Sequence, residues 1–328
     1  MRRAATLAAV AAAAAVVAAA LTAATVAGSG SGPGSGSGSA PHRAGTRAGT
    51  RPSPRDGSPA RPAVSYYLAL GDSLSRGVQP DATGASLPTP QGYADQLYAA
   101  LRLLDPGLRL VKLGCSGETT GTMINGGICR YPGGSQLAAA TGFLRAHRGQ
   151  VSLITIDIGA NDPDSCIDRP SISKITMCVT GSFPDTAVNL TKIMTTIRAA
   201  AGPAARIIGM NYYVPALAEW RDGLLGQEVA RLAERLVAGY NKLLTTIYQS
   251  FGARVADVFG AFRSADFTGQ VTVPGVGTVP PNVAAVCRWT WECAPAPRGP
   301  NEHARAAGYG VIAHAFLLAD LGLPQNYP

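Results

Sequence analysis

The chain contains one serine and one histidine whose positions suit a nucleophile and its base. Ser73 lies in the segment Gly71–Ser75, directly after an apolar run typical of a buried strand. His303 precedes the last helical segment and is the one histidine of four that is expected in a loop at the strand ends. A serine hydroxyl is a weak nucleophile at its own pKa and needs an adjacent base. The two residues predict nucleophilic catalysis, with a plain helix N-cap as the alternative role for Ser73.

Two further segments follow predicted strands and carry hydrogen-bond donors. Gly117 lies in the segment 113–119, where a glycine lets a backbone N–H approach a substrate oxygen closely. Asn161 lies in the segment 159–162, and its side-chain amide is a neutral donor suited to a developing oxyanion. A tight turn is the alternative for Gly117, and a local backbone partner is the alternative for Asn161.

The elements that must position these residues alternate between strand-like and helical runs. We expect reactive groups to collect where the strands end. Five strands separated by helices predict one α/β domain, in which helices cover both faces of a five-stranded parallel sheet. The Pro- and Gly-rich segment 262–300 is predicted as a long ordered loop. The predicted strands are 66–70, 108–113, 151–158, 206–212 and 254–258, and the predicted helices are 92–104, 135–147, 185–200, 222–251 and 304–321.

The first 63 residues differ in composition from the rest of the chain. Residues 2–3 are arginines, and residues 4–27 contain only Ala, Val, Leu and Thr. This pattern predicts a signal peptide over 1–27 and a secreted protein, with a membrane anchor at 4–27 as the alternative. Residues 28–63 are rich in Gly, Ser, Pro and Arg and are predicted to be a disordered linker. The folded domain is then 64–328.

The positive charge of the chain belongs mainly to its first part. The formal net charge is +8, but residues 1–63 hold seven arginines against one aspartate, so residues 64–328 carry only +2. Nucleic-acid binding by the folded domain is therefore not predicted. The linker arginines are candidates for contact with anionic wall polymers or lipid head groups, and a solubilising tail is the favoured alternative. We expect a monomer.

Six cysteines behind a signal peptide predict disulfides rather than free thiols. Their order favours three local pairs among the 15 connectivities that six cysteines allow. A zinc site formed by Cys287, Cys293 and His303 is the alternative, disfavoured by the absence of a CxxC pair and by an oxidising compartment. No metal or cofactor is predicted. The favoured pairs are Cys115–Cys129, Cys166–Cys178 and Cys287–Cys293.

Taken together and in this order, the four segments resemble the GDSL/SGNH hydrolase family. The resemblance spans residues 64–322, and the strings KLGCSGETT, TIDIGAND and WTWEC are similar to secreted actinomycete esterases and lipases. It implies a three-layer α/β/α flavodoxin-like fold and hydrolysis of acyl esters through an acyl-enzyme on Ser73. It also implies an oxyanion hole made by the N–H groups of Ser73 and Gly117 and by the Asn161 amide.

One position departs from the pattern of the family. Many members carry an aspartate two or three residues before the histidine, where this chain has Pro300 and Asn301. Some members use a main-chain carbonyl instead, so the Pro300 carbonyl and the Asn301 side-chain oxygen are both candidates for orienting His303. Glu302 is not expected to do so, because adjacent side chains at a helix entry usually diverge.

The sequence therefore predicts a secreted serine ester hydrolase, an esterase or lipase acting on simple acyl esters or lipids. A carbohydrate O-acetyl esterase is the alternative within the same class. A different class is a non-catalytic wall- or lipid-binding protein on a hydrolase scaffold, because fold alone does not fix function.

Overall fold

A computed structural model of the chain describes residues 64–166, 169 and 171–327. The predicted signal peptide 1–27, its alternative as a membrane anchor, and the linker 28–63 lie outside the described residues. Those domain boundaries stay predictions. Among the helices that the structure describes, none combines the length and the apolar character needed to cross a membrane.

Five parallel strands form the central sheet: β1 (Ser65–Gly71), β2 (Leu108–Lys112), β3 (Val151–Asp157), β4 (Arg206–Met210) and β5 (Arg254–Ala256). Their spatial order is β2-β1-β3-β4-β5. This is the strand order of flavodoxin-like folds, in which ligands bind beyond the carboxyl ends of the strands where the winding reverses. That switch point lies between β1 and β3.

Helices cover both faces of the sheet. They are α1 (Ser73–Arg76), α2 (Tyr93–Leu101), α3 (Thr120–Asn125), α4 (Gln136–Ala146), α5 (Ile172–Ala201), α6 (Gly223–Ser250), α7 (Val258–Ala261), α8 (Pro281–Trp289) and α9 (Ala306–Leu321). On one face α2 packs against α9, and on the other face α4, α5 and α6 lie side by side. The predicted three-layer α/β/α fold with a five-stranded parallel sheet is confirmed.

The two central strands form the middle of the core. The side chains of residues 67–70 in β1 are completely buried, as are Leu153, Ile154 and Ile156 in β3. Parallel strands with helices on both faces are apolar along their whole length, which is why these segments read as continuous hydrophobic runs. The register pairs Gly71 with Asp157 at the ends of the two strands. The residues that follow β1 and β3 therefore emerge next to each other.

The segment 262–300 is not the long loop that the sequence predicted. It contains an antiparallel hairpin (Val271–Val273 with Gly277–Val279) and helix α8. Their apolar side chains bury a second small core against Val214, Leu217 and Ala230. Pro281 stands in the first turn of α8, where a missing N–H costs no helical hydrogen bond. The many Pro and Gly residues concealed two short elements that only this second core stabilises.

Helix α5 begins at Ile172, 13 residues before the predicted start at 185, and it continues through Pro184. Proline normally marks a helix boundary, because it lacks an N–H and crowds the preceding turn. Here tertiary contacts hold the additional turns. The disulfide Cys166–Cys178 ties them to the loop after β3, and the Phe183 ring packs against Tyr240 of α6 with 5.0 Å between the ring centroids.

Candidate active site

Ser73 is the first residue of α1 and follows β1 through a very tight turn. Gly71 has φ +132°, and a side chain at this position would overlap the Asp157 carbonyl oxygen. Asp72 caps the helix, with Oδ1 accepting the Leu74 N–H at 2.9 Å. Ser73 itself is 9% exposed. The strand end and the short helix thus place this serine at the surface of the crevice between β1 and β3.

A buried glutamine holds the turn before Ser73. Gln136, on α4, accepts the Gly71 N–H at 2.7 Å and donates to the Gly71 carbonyl at 2.9 Å. The same Nε2 donates to Glu118 Oε2 at 3.0 Å. Gln136 lies at an otherwise apolar helix face, which is the one signal by which sequence analysis could have found it. It joins the Ser73 turn to the segment that contains Gly117.

Gly117 has φ +78°, a left-handed conformation that favours glycine, and the position of a β-carbon would be open space. Its segment lies next to the Ser73 turn, because the Cys115 N–H donates to the Gly71 carbonyl at 3.0 Å. Within the described residues, neither the Ser73 N–H nor the Gly117 N–H donates to a protein acceptor. Both N–H groups are therefore available to a ligand.

The Asn161 side chain is fixed by the same segment. Its Nδ2 donates to the Glu118 carbonyl at 2.8 Å, which uses one of its two N–H bonds. The neighbouring Asp162 accepts the Thr120 N–H at 2.9 Å, so the two loops are joined twice. Burial raises the pKa of Asp162 and the hydrogen bonds from Thr120 oppose that rise. The second N–H of Asn161 is left for another acceptor.

His303 is held by Asn301 from two directions. Asn301 Oδ1 accepts the His303 backbone N–H at 3.1 Å and lies 2.9 Å from His303 Nδ1. A backbone N–H can only donate, which identifies the shared atom as the amide oxygen rather than the nitrogen. Nδ1 must then carry the proton, and Nε2 is left as the basic nitrogen of the neutral ring.

The two neighbours of Asn301 do not accept a hydrogen bond from the His303 ring. Among the described residues, no hydrogen bond joins the Pro300 carbonyl to His303. Glu302 is exposed, and its Oε1 lies 3.4 Å from His303 Nδ1 without a hydrogen bond. Tyr213 Oη donates to the Glu302 carbonyl at 2.6 Å and so fixes the backbone before His303. Burial lowers the pKa of His303, and the charge of Glu302 opposes this. The ring is accordingly neutral over a wider pH range than a free imidazole.

The loop with His303 lies against the segment that contains Ser73. Asn301 Nδ2 donates to Ser86 Oγ at 3.1 Å, and Tyr309 Oη, on the helix that follows His303, donates to the Val78 carbonyl at 2.8 Å. The Val78 N–H in turn donates to the Ser73 carbonyl at 3.1 Å. Within the described part of the chain, no hydrogen bond joins the side chains of Ser73 and His303.

The six cysteines form three disulfides, each between neighbours in the sequence: Cys115–Cys129, Cys166–Cys178 and Cys287–Cys293. The last bond leaves Cys287 and Cys293 no thiolate to bind zinc beside His303.

The Cys287–Cys293 disulfide closes a loop next to an isolated antiparallel β-bridge between Thr290 and Ala304. Ala304 directly follows His303. The Trp291 N–H also donates to the His303 carbonyl at 3.0 Å.

Comparison with known proteins identifies the group to which this arrangement belongs. A family model of the GDSL-like lipase/acylhydrolase family matches residues 69–272, more than half of the chain. The chain belongs to this family. The GDSL-family chain is accordingly a carboxylic ester hydrolase. The matched range begins in β1 and includes Ser73, Gly117 and Asn161.

Solved structures share the fold of this GDSL hydrolase at low sequence identity. A phospholipase A1 from Streptomyces albidoflavus is 19% identical, with 78% of this chain and 100% of that chain covered and a TM-score of 0.51. An extracellular lipase from Streptomyces rimosus has the same identity and coverage and a TM-score of 0.53. A lipase from a goat rumen metagenome is 18% identical, with coverage of 78% and 97% and a TM-score of 0.50. No curated protein sequence matches the chain.

Proposed function

We propose that this GDSL hydrolase is a secreted serine esterase or lipase in which Ser73 is the nucleophile and His303 its general base. His303 Nε2 accepts the hydroxyl proton as Ser73 attacks the ester carbonyl carbon, and a tetrahedral oxyanion forms. The protonated His303 then gives that proton to the leaving alcohol, which leaves an acyl-enzyme. Water, activated by His303 in the same way, releases the acid and restores Ser73.

The observation that carries the proposal is the bifurcated acceptor at Asn301. Its oxygen receives both the backbone N–H and the ring Nδ1–H of His303. A neutral amide thus takes the orienting role that an aspartate has in many hydrolases. It stabilises the imidazolium less than a carboxylate would, but it fixes the tautomer and the direction of the ring.

The oxyanion in this proposal is stabilised by the Ser73 N–H, the Gly117 N–H and the remaining N–H of Asn161. Three fixed donors aimed at a developing negative charge stabilise it without reorganisation during the reaction. The contact between Asn161 and the Glu118 carbonyl supports this role, because it holds the amide in one orientation.

Three observations support secretion and lipid esters as substrates. The composition of residues 1–27 fits a signal peptide, and the three disulfides fit an oxidising compartment. The neighbours in fold include a phospholipase and an extracellular lipase. Contact of the linker with cell-wall polymers or membranes, and a monomeric state, remain predictions.

Labelling with a fluorophosphonate tests the catalytic assignment directly. The wild-type protein should react covalently at Ser73, as established by peptide mapping, whereas Ser73→Ala protein should not react. Ser116→Ala is the matched control, because this exposed serine lies in the neighbouring loop and has no role in the proposal. His303→Ala should retain the fold and react slowly. Unchanged labelling of folded Ser73→Ala protein contradicts the proposal, and a wild-type protein that does not react points to a non-catalytic binding protein.

A further inference from the structure

Two buried carboxyl groups lie beneath the Ser73 turn, and the proposed mechanism uses neither of them. Asp72 is 1% exposed and Asp157 is completely buried. The Asp72 N–H donates to the Asp157 carbonyl at 3.0 Å, and the two carboxyl groups lie within hydrogen-bonding reach of each other. Neither forms a salt bridge with any residue that the structure describes.

The hydrogen bonds around this pair leave one oxygen without a donor. Asp157 Oδ1 accepts the Tyr93 hydroxyl at 2.6 Å, and Oδ2 accepts the Ser75 N–H at 2.9 Å. Asp72 Oδ1 accepts the Leu74 N–H at 2.9 Å. Asp72 Oδ2 is buried and has no partner among the described residues. An ionised carboxylate only accepts hydrogen bonds, so two ionised groups cannot satisfy this atom, whereas one proton between them does.

The electrostatics of the site also favour a shared proton. Two negative charges at hydrogen-bonding distance in a buried site repel strongly, and removing each from water is costly. Burial raises the pKa of Asp72 to about 7, and it raises the pKa of Asp157 well above its usual range. The two groups titrate as a pair, because each charge opposes the ionisation of the other.

The groups that face the pair from the surrounding elements do not supply a compensating charge. The tyrosines near it have pKa values raised by burial, so they stay neutral. Arg76, on α1 itself, donates to the Gly114 carbonyl at 3.3 Å. The other facing groups are Asp162 and Asp164 after β3, Glu118 beside Gln136, Tyr67 of β1, Tyr93 of α2, Tyr212 and Tyr213 after β4, Tyr240 and Tyr248 of α6, and Tyr309 of α9.

We propose that Asp72 and Asp157 hold one proton between them and that this proton positions the nucleophile. The pair accepts the N–H groups of Leu74 and Ser75, the two residues that follow Ser73 in α1. Loss of the proton leaves two repelling carboxylates beneath this turn, which moves the turn and misplaces the Ser73 hydroxyl. Both are positioning residues. The consequence for catalysis depends on Ser73 being the nucleophile, but the shared proton does not.

The first test is the stability of the protein as a function of pH. Between the ordinary Asp pKa of about 3.9 and the raised pKa of the pair, the folded state binds more protons than the unfolded chain. Stability should therefore fall as pH rises through this window. Asp72→Asn should flatten that dependence, because its amide supplies a permanent N–H at the Oδ2 position and keeps an oxygen for Leu74. Asp185→Asn, which changes an exposed carboxyl on α5, should not alter it.

A second measurement needs no variant. The infrared spectrum of the wild-type protein at neutral pH should contain the C=O band of a protonated carboxyl, which should disappear at alkaline pH. Ser73→Ala protein should show the same band and the same pH-dependent unfolding, so the pair is tested even if another residue is the nucleophile. The shared proton is refuted when the wild-type spectrum lacks this band at neutral pH and the stability of the protein does not fall as pH rises.

The third test separates positioning from packing through the pH profile of kcat. The wild-type enzyme should lose kcat as pH rises above the pKa of the pair, with little change in KM. Asp72→Asn should lose this alkaline limb, whereas Asp72→Ala should lower kcat by about 10²-fold at every pH, because a misplaced group loses rate steeply. An Asp72→Asn enzyme with the wild-type alkaline limb, in which Ser73 still reacts with a fluorophosphonate, refutes the positioning role and leaves the proposed function intact.

Discussion

The side-chain oxygen of Asn301 lies 2.9 Å from His303 Nδ1, whereas the Glu302 carboxylate approaches the same nitrogen only to 3.4 Å. The Asn301 amide, which lies nearer to the ring, is neutral. The negative charge is carried by Glu302, whose side chain is exposed. Orientation of the ring and stabilisation of its positive charge are therefore separated in this protein.

The first prediction concerns the group that orients His303. Asn301→Ala removes the acceptor of Nδ1–H, frees the ring to rotate, and should lower kcat by about 10²-fold, less than the loss of about 10⁴ seen when a triad aspartate is changed. Glu302→Gln is the matched control and should stay within about twofold of wild type, in line with surface changes. Steady-state hydrolysis of a p-nitrophenyl ester measures both. The reverse ranking would identify Glu302 as the orienting carboxylate.

The second prediction concerns the pH dependence of activity on the acid side. Burial lowers the pKa of His303 below 6.5, so kcat/KM should rise with pH through a midpoint below that value as the ring loses its proton. Asn301→Asp places a negative charge at Nδ1, stabilises the imidazolium, and should move this midpoint upward. A pH series of kcat/KM in constant ionic strength measures the shift. A midpoint above 6.5 in the wild-type enzyme contradicts the prediction.

The third prediction concerns Asn161. Asn161→Ala should lower kcat by about 10²–10³ with little effect on KM, because the lost hydrogen bond is made to the oxyanion rather than to the substrate. Asn189→Ala is the control, since its amide donates to Thr120 Oγ1 at 3.2 Å in the same region but has no role in the proposal. A rise in KM alone, or an equal loss in both variants, would show that Asn161 only holds the loop.

The fourth prediction concerns the disulfides. Each closes a short loop beside a site residue, and on the chain-entropy model each should contribute roughly 2–3 kcal/mol to the free energy of unfolding. None of the bonded cysteines lies in a strand of the central sheet, so we expect mild reduction to lower kcat before far-UV circular dichroism changes. Both signals are followed through one reductant titration. Coincident loss of activity and structure would mean that the bonds stabilise only the fold as a whole.

The paired replacement of Cys287 and Cys293 by alanine gives a sharper version of the same experiment. This bond lies beside the bridge between Thr290 and Ala304 that holds the loop with His303. We expect the double variant to lose activity while its sheet stays folded. Paired replacement of Cys115 and Cys129 is the comparison, because that bond lies beside Gly117 instead.

The sequence by itself determined the order of the main elements and the positions of the candidate chemistry. The apolar runs 66–70 and 151–158 predicted the two central strands, because parallel strands buried on both faces need no alternation. Ser73 and Asn161 are candidate site residues because each follows such a run, and both lie within the range 69–272 that the family model matches. The pattern failed at 262–300 and before Pro184, where short elements depend on packing that composition does not reveal.

Only the tertiary structure decided which side chains touch. Pro300 and Asn301 are equivalent in sequence as partners of His303, and the path of the loop alone brings Asn301 Oδ1 to Nδ1. Gln136 reaches Gly71, and Asp157 reaches Asp72, across intervals in the chain that carry no periodic signal. The sheet register that pairs Gly71 with Asp157 creates the second contact. Local patterns report the preferences of neighbouring residues, whereas a buried polar contact depends on where distant segments meet.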